Sequence, residues 1–394
     1  MVSRHTTGTR SALSLAGLHL SLIFLSNALI RPVRDQMIVE TTSPALHWLF
    51  SISFILTLLL SPIFSLIMTD STAKKMIRII HGTSAVILFG VYWFVHFNAI
   101  TLELSMFFFV MSGFLNLLTM SLFWCMIHEL LEKQPTPTLL AKIGSGALMG
   151  AIIGSLLIPL ILMFFNKSDI LLLAGLINLW AIFLPHRGRK RNPVTRFRYD
   201  AMPDPFIVSQ FSANQLCYAA VSTFMYALVI TQVAAIELSS TTTLIIFALR
   251  DLIIVLITFG LQHKLIENMI HRYGMHHNLI ASPMLGAVIY ALFIVVPSAL
   301  ILIPCQALFR SVNLGLGKPI KDHLYFNLQP NVHFRIKTLI DTIGYRLGDA
   351  MAAWIFFMLT VFESHVALGV SGILMSSIWI YYNLRIAKLY RLKN

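Results

Sequence analysis

Charge is scarce in this sequence. Asp, Glu, Lys and Arg make up 11% of its 394 residues, against 57% hydrophobic residues and a mean hydropathy of +0.79. One soluble core could not hide so much apolar surface, so the solvent of this chain is lipid. Cysteine is sparse as well. Cys125, Cys217 and Cys305 all fall inside apolar runs without metal-ligand spacing, which excludes a disulfide framework and a zinc site and leaves them as small buried hydrophobes. Long hydrophilic stretches are missing, and with them any sizeable soluble domain. Ser/His/Asp, HExxH and phosphate-loop patterns are missing too, so neither an enzyme nor a cofactor is expected. His271, His276 and His277 in "HRYGMHH" read as a solvated loop, and no metal site is expected.

What is present is a succession of twelve apolar runs between residues 12 and 387, each close to the length needed to cross a bilayer; the sixth, near 169 to 185, is short. The expectation is an all-α polytopic membrane protein with twelve transmembrane helices. The formal charge of +13 suggests nucleic acid until the cations are placed: they lie in short segments between the runs and act as topology signals, so no nucleic-acid partner is expected. One side collects Arg4, Arg10, Lys74, Lys75, Arg78, Lys133, Lys142, the basic cluster from Arg187 to Arg198, Lys264, Arg272, Arg335, Lys337 and the C-terminal cations, whereas the other holds Lys167 and whatever is exposed of Arg31 and Arg34. Both termini are therefore expected in the cytoplasm, in a bacterial inner (plasma) membrane. The charged start followed by "SALSLAGLHLSLIFLSNA" has features of a secretory signal, but the apolar run continues beyond it, and a first helix is the better reading.

The one extended polar connector, "PHRGRKRNPVTRFRYDAMPDP", divides the runs six and six. The plan resembles that of a major facilitator, with an N-terminal six-helix bundle over 1–184, a basic linker over 185–205 and a C-terminal bundle over 206–394. "SLIMTDSTAKKMIR" is similar to a degenerate facilitator loop between spans 2 and 3. In span 5, Gly146, Gly150 and Gly154 are four apart on one helix face, the spacing of a close helix-packing stripe.

A charge at membrane depth is costly unless it is paired or wetted, so each marks a candidate site. The runs hold seven cations (Arg31, Arg34, Arg250, Arg310, Lys318, Lys321, Arg346) and six carboxylates (Asp35, Glu129, Asp251, Asp322, Asp341, Asp349). "RPVRDQM" in span 1 recurs as "KPIKDHL" in span 10: cation, Pro, branched aliphatic, cation, Asp. In a facilitator plan these are equivalent cavity helices of opposite direction, and each motif lies roughly 9 Å beyond its helix's middle, on opposite sides of the midplane. The cations and Asp of each motif share roughly one face, and the proline is expected to break the backbone ladder locally. Two readings follow. The motifs close gates as salt bridges, or Arg31, Arg34, Lys318, Lys321 and Arg310 bind an anionic solute, for which the guanidinium fork suits carboxylate and phosphate. Asp35, Glu129, Asp322, Asp341, Arg346 and Asp349 are then the coupling or gating groups, with an Arg346–Asp349 ion pair or a proton among their possible roles.

"IRPVRDQMIV", "LFWCMIHEL", "KIGSGALMGAIIG", "GKPIKDHLYF" and "IKTLIDTIGYRLGDAMAAW" resemble, in order, segments of the nucleotide (ATP/ADP) translocase family and of its facilitator-like bacterial relatives. The resemblance implies that Arg34, Glu129 and Lys321 stand where that family carries functional residues in spans 1, 4 and 10. Span 7, "FSANQLCYAAVSTFMYALV", lacks the Glu and Trp-Lys element of nucleotide exchangers. The function expected is secondary active transport of an anionic or zwitterionic organic solute, nucleotide-like or carboxylate-rich, by alternating access, with protons or a counter-transported anion as coupling partners. A non-transporting receptor or scaffold with the same fold is the alternative from another class.

Overall fold

The computed structural model describes residues 2–41, 45–67, 73–98, 100–130, 137–184, 204–262, 266–328 and 334–393, and all regular structure among them is helical. The helices are α1 (Val2–Thr41), α2 (Leu46–Ile67), α3 (Ala73–Phe97), α4 (Leu102–Leu130), α5 (Pro137–Phe164), α6 (Asp169–Ile182), α7 (Pro205–Ala234), α8 (Ser240–Gly260), α9 (Ile266–Val295), α10 (Ala299–Val312), α11 (Lys318–Leu328), α12 (Phe334–Thr360) and α13 (His365–Lys393). A π-helical turn, Asn313–Gly317, joins α10 to α11.

Among the described residues, nine stretches are long and apolar enough to cross a membrane; one of them, Ala299–Tyr325, takes in α10, the π-turn and most of α11. Two shorter apolar helices, Leu46–Leu60 and Asp169–Ile182, and the charge-bearing α12 stand beside these nine, against the twelve crossings expected from the sequence. Large side chains such as Phe164, Val295 and Leu300 are exposed along these helices, as in a protein whose outer surface meets hydrocarbon. The chain is a multi-pass membrane protein.

The basic linker expected over 185–205 lies outside the described residues as far as position 203. α7 begins just beyond it, where the Asp204 carboxylate accepts a hydrogen bond from the Phe206 N–H at 2.9 Å and Pro205 takes the first helical position. At Pro32 the expected local break does not interrupt the helix, and α1 runs through it as one element. The helical irregularity falls instead in the other motif's segment, at the π-turn before Lys318 and Pro319.

Two compact units emerge. The first comprises 1–42, 62–195 and 239–252, the second 43–61, 196–238 and 253–394. The beginning of α2 thus counts with the second unit and the beginning of α8 with the first. In the first unit α1 lies along α5 at the spacing the glycine stripe implies: a Cβ on Gly146 or Gly150 would collide with the backbone of Gly17 or Ser21, and one on Gly154 would come within 2.7 Å of Ala28 Cβ and Leu25 O. In the second unit α7 and α12 form a similar joint, where Gly348 abuts Leu216 O and Gly344 lies near Ser212 O. Backbone approach of this kind is the usual adhesive of helices in lipid, where no hydrophobic effect draws them together. Gly150→Val is expected to remove most of the correctly assembled protein, because the obstacle is backbone and cannot rotate away. Gly90→Ala, with open space around it, is expected to change stability by less than about 1 kcal/mol. Thermal unfolding of the detergent-solubilised variants, read by size-exclusion elution, checks both.

Candidate functional site

In the first unit the end of α1 brings Arg34 and Asp35 against Arg250 and Asp251 of α8. Arg34 donates to Asp35 Oδ1 from Nη2 at 2.7 Å and from Nε at 3.1 Å. Arg250 Nη2 reaches Asp35 Oδ2 at 2.8 Å and Asp251 Oδ1 at 2.9 Å, and its Nε donates to the same Asp251 oxygen at 3.1 Å. Arg250 and Asp35 are each 1% exposed. Phe247 lies under the Arg250 guanidinium and Phe109 under that of Arg34, each centroid 4.8 Å away. Toward the end of α1, Gln36 and Lys167 both donate to Ser240 Oγ, at 2.9 and 2.6 Å. Among the described side chains two cations meet two carboxylates here, so their formal charges balance, while Arg250 Nη1 and Asp251 Oδ2 are buried without a hydrogen-bond partner.

The second unit is arranged differently. Arg310 at the end of α10, Tyr218 and Thr223 of α7, and Tyr345, Arg346 and Asp349 of α12 converge; the residues of α7 and α12 are within a few residues of the middle of their helices, and Arg310 is near the middle of the stretch Ala299–Tyr325. Asp349 accepts from Thr223 Oγ1 at 2.5 Å and from Arg346 Nη1 at 3.4 Å. Tyr218 is within hydrogen-bonding reach of Asn313 and Ser222. Arg346 Nε is buried without a hydrogen-bond partner, and Arg310 is close enough to influence Asp349 and both tyrosines yet forms no ion pair with a described residue. Two guanidinium groups therefore face one carboxylate among the described side chains, with donors to spare. A partly buried fork with spare N–H groups can take a carboxylate or phosphate in bidentate fashion.

These helices belong to a known architecture. A crystal structure of the nucleoside transporter NupG is similar over 97% of this chain and 99% of that one, with a TM-score of 0.58 and 13% sequence identity. The chain shares the fold of that transporter. No protein-family model matches the sequence, and none of the curated proteins is significantly similar to it.

Within this fold, the structure separates cations that the sequence pattern grouped. Arg34 is tied to Asp35, roughly 10 Å beyond the middle of the apolar part of α1. Arg31, on the same helix, is half-buried. Lys321 is buried and hydrogen-bonds Gln215 of α7, Asp322 is half-buried, and Lys318 is exposed at the head of α11. Lys318 and Lys321 thus take different surroundings although they share a motif. Arg310, Arg346 and Asp349 are brought together. Glu129 and Asp341 lie on α4 and α12, but their side chains fall outside the described residues.

Sequence reasoning missed three things. Arg250 and Asp251 were visible as intramembrane charges, but their partnership with Asp35 spans a separation no spacing rule covers. Tyr218 carries no charge and so escaped a search for ions. The third is a network of uncharged polar residues in the first unit, where Asn27 Nδ2 donates to Asn116 Oδ1 at 2.7 Å and His81, Asn178 and Ser26 line the same cavity. Isolated His and Asn residues within apolar runs barely lower the hydropathy, which is why the runs concealed them.

Proposed function

We propose that the chain is a secondary transporter that moves an organic solute bearing an anionic group across a bacterial inner membrane by alternating access, with both termini cytoplasmic. The observation that carries this reading is the excess of guanidinium over carboxylate among the described side chains at mid-depth in the second unit, where Arg346 keeps a buried Nε without a partner and Arg310 lies beside Asp349 without an ion pair to a described residue. Facilitator folds place their substrates near the midplane, and a burial this expensive is retained where something charged must bind. Arg34, with its neutral cluster, and Lys321 then serve the conformational change more than the solute. The similarity in fold to a nucleoside transporter, together with the resemblance to nucleotide translocases, makes nucleotides the first anions to try, followed by polycarboxylates.

A ligand that binds the folded protein raises its apparent stability by RT ln(1 + [L]/Kd), about 2.7 kcal/mol at a hundredfold excess over Kd. Nucleotides, polycarboxylates and uncharged nucleosides are therefore compared by thermal shift on the purified protein, and the hits by counterflow in proteoliposomes. An anion that shifts the midpoint and exchanges supports the proposal. Stabilisation confined to uncharged nucleosides overturns the anionic assignment.

A further inference from the structure

We infer that the first unit carries a binding site for a neutral, hydroxyl-bearing group, in the cavity that α1, α3, α4 and α6 line around Asn27 and Asn116. The inference goes beyond the anion reading and does not rest on it. Asn27 is at the middle of the apolar stretch Ser14–Thr41, and Asn116 is within a few residues of the middle of Leu102–Phe123, so both carboxamides sit at membrane depth. Polar groups there are costly unless something satisfies them.

The bond between the two amides satisfies half of each. Asn27 Nδ2 donates to Asn116 Oδ1 at 2.7 Å, which leaves the Asn27 carbonyl oxygen and the Asn116 amide hydrogens for another partner. Exchanging oxygen and nitrogen in both amides leaves the same offer, one carbonyl and one NH2. The hydroxyls of the lining extend it. Ser112 gives its hydrogen to the Phe109 carbonyl at 3.1 Å and Thr119 to the Leu115 carbonyl at 2.8 Å, so for a ligand both oxygens can only accept. Ser84 on α3 makes no hydrogen bond with a described residue and can donate or accept. Asn178 and Ser26 are bonded to each other at 2.7 Å, and His81 is engaged with His19 and Asn178, so these three serve as fixed wall.

This mixture selects the ligand chemistry. A carboxylate or phosphate oxygen only accepts, and it would meet the oxygens of Asn27, Ser112 and Thr119 with no hydrogen to share. An ammonium group only donates, and it would leave the Asn116 amide unanswered. A hydroxyl does both, so neighbouring hydroxyls on one carbon skeleton can answer amide and hydroxyl oxygens together, while Phe108, Ile30 and Leu115 give that skeleton an apolar wall. Counted out to its mouth the space is about 420 Å³, but its enclosed part has room for only a few water-sized groups. The fit is to a small polyol or to the hydroxylated edge of a sugar, and not to a whole nucleotide. Water meets the same hydrogen-bonding demands, and the experiment must separate the two.

Nitrogen NMR of the full chain, labelled with ¹⁵N at asparagine and held in nanodiscs, reads the site while glycerol, erythritol, ribose and inorganic phosphate are titrated in turn. The Overhauser contact across the amide bond identifies Asn27 and Asn116 without any substitution. The expected result is a saturable shift of these two amides with erythritol or ribose and none with phosphate. Ser84→Ala/Ser112→Ala keeps the amide pair and is expected to weaken the binding about tenfold. Counterflow of the labelled sugar then distinguishes the two sources of hydroxyls: a sugar that binds and exchanges is itself carried, and one that binds without exchanging stands in for the hydroxylated part of a larger solute. Shifts that only grow linearly with concentration show that the cavity holds water alone and overturn the inference, as does equal saturation by phosphate. Neither result touches the anion assignment, which the comparison of nucleotides, polycarboxylates and nucleosides decides.

Discussion

Replacing Arg250 by leucine is expected to destabilise the protein by roughly 3–5 kcal/mol, the usual cost of breaking a buried ion pair from one side. The cause is the charge left behind. Asp35 keeps Arg34 as a partner, but the ion pair found for Asp251 is with Arg250, and its carboxylate is left buried with a net charge of −1 on the cluster. Arg250→Leu/Asp251→Asn restores neutrality and is expected to regain part of the loss, although the residues are adjacent and their effects should not add. Thermal midpoints of the four proteins in one detergent form the cycle. A single variant as stable as wild type would show that these charges are wetted and do not close on one another.

Arg310→Ala is expected to lower kcat/KM for the transported anion by about a hundredfold, equivalent to about 2.8 kcal/mol at 1.4 kcal/mol per factor of ten. Arg346→Ala should cost less, since part of its charge is already answered by Asp349 at 3.4 Å. Arg310→Lys keeps the charge but loses the planar fork, and an intermediate loss of about tenfold follows if the solute is held by two parallel hydrogen bonds. Initial uptake rates in proteoliposomes, corrected for the amount of folded protein, decide between these. If Arg310→Ala transports as wild type, the solute is not held by this cluster.

Helices were legible in the sequence because lipid imposes a coarse requirement, some twenty apolar residues for each crossing, that hydropathy meets directly. The stripe of Gly146, Gly150 and Gly154 was legible for the same local reason: its spacing puts three gaps on one face, and α1 fills them with backbone. Arg346 and Asp349 are three apart, so one helical turn suffices to suggest their pairing. Asp35 and Arg250 are separated by most of the chain, and no local rule selects Arg250 from seven intramembrane cations. The paired motifs misled in an instructive way. "RPVRDQM" and "KPIKDHL" match letter for letter in type, but Arg34 found a carboxylate next door whereas Lys321 found the Gln215 amide, and Lys318 remained exposed. Sequence likeness fixed the positions of the charges, and neighbours on other helices fixed their use.

The interleaved make-up of the two units bears on how the protein is made. A membrane chain enters the bilayer in order, and domains ordinarily close as their last helix emerges. Here residues 43–61 are inserted long before α7 and α12, the helices of their own unit whose Tyr226 and Trp354 contact Phe50 and Ser51. The first unit in turn lacks Arg250 until the ribosome has passed through α8. During synthesis Asp35 must therefore wait in a half-built bundle with Arg34 as its companion, and the internal Arg34–Asp35 pair keeps that carboxylate tolerable in lipid until the rest of the protein arrives.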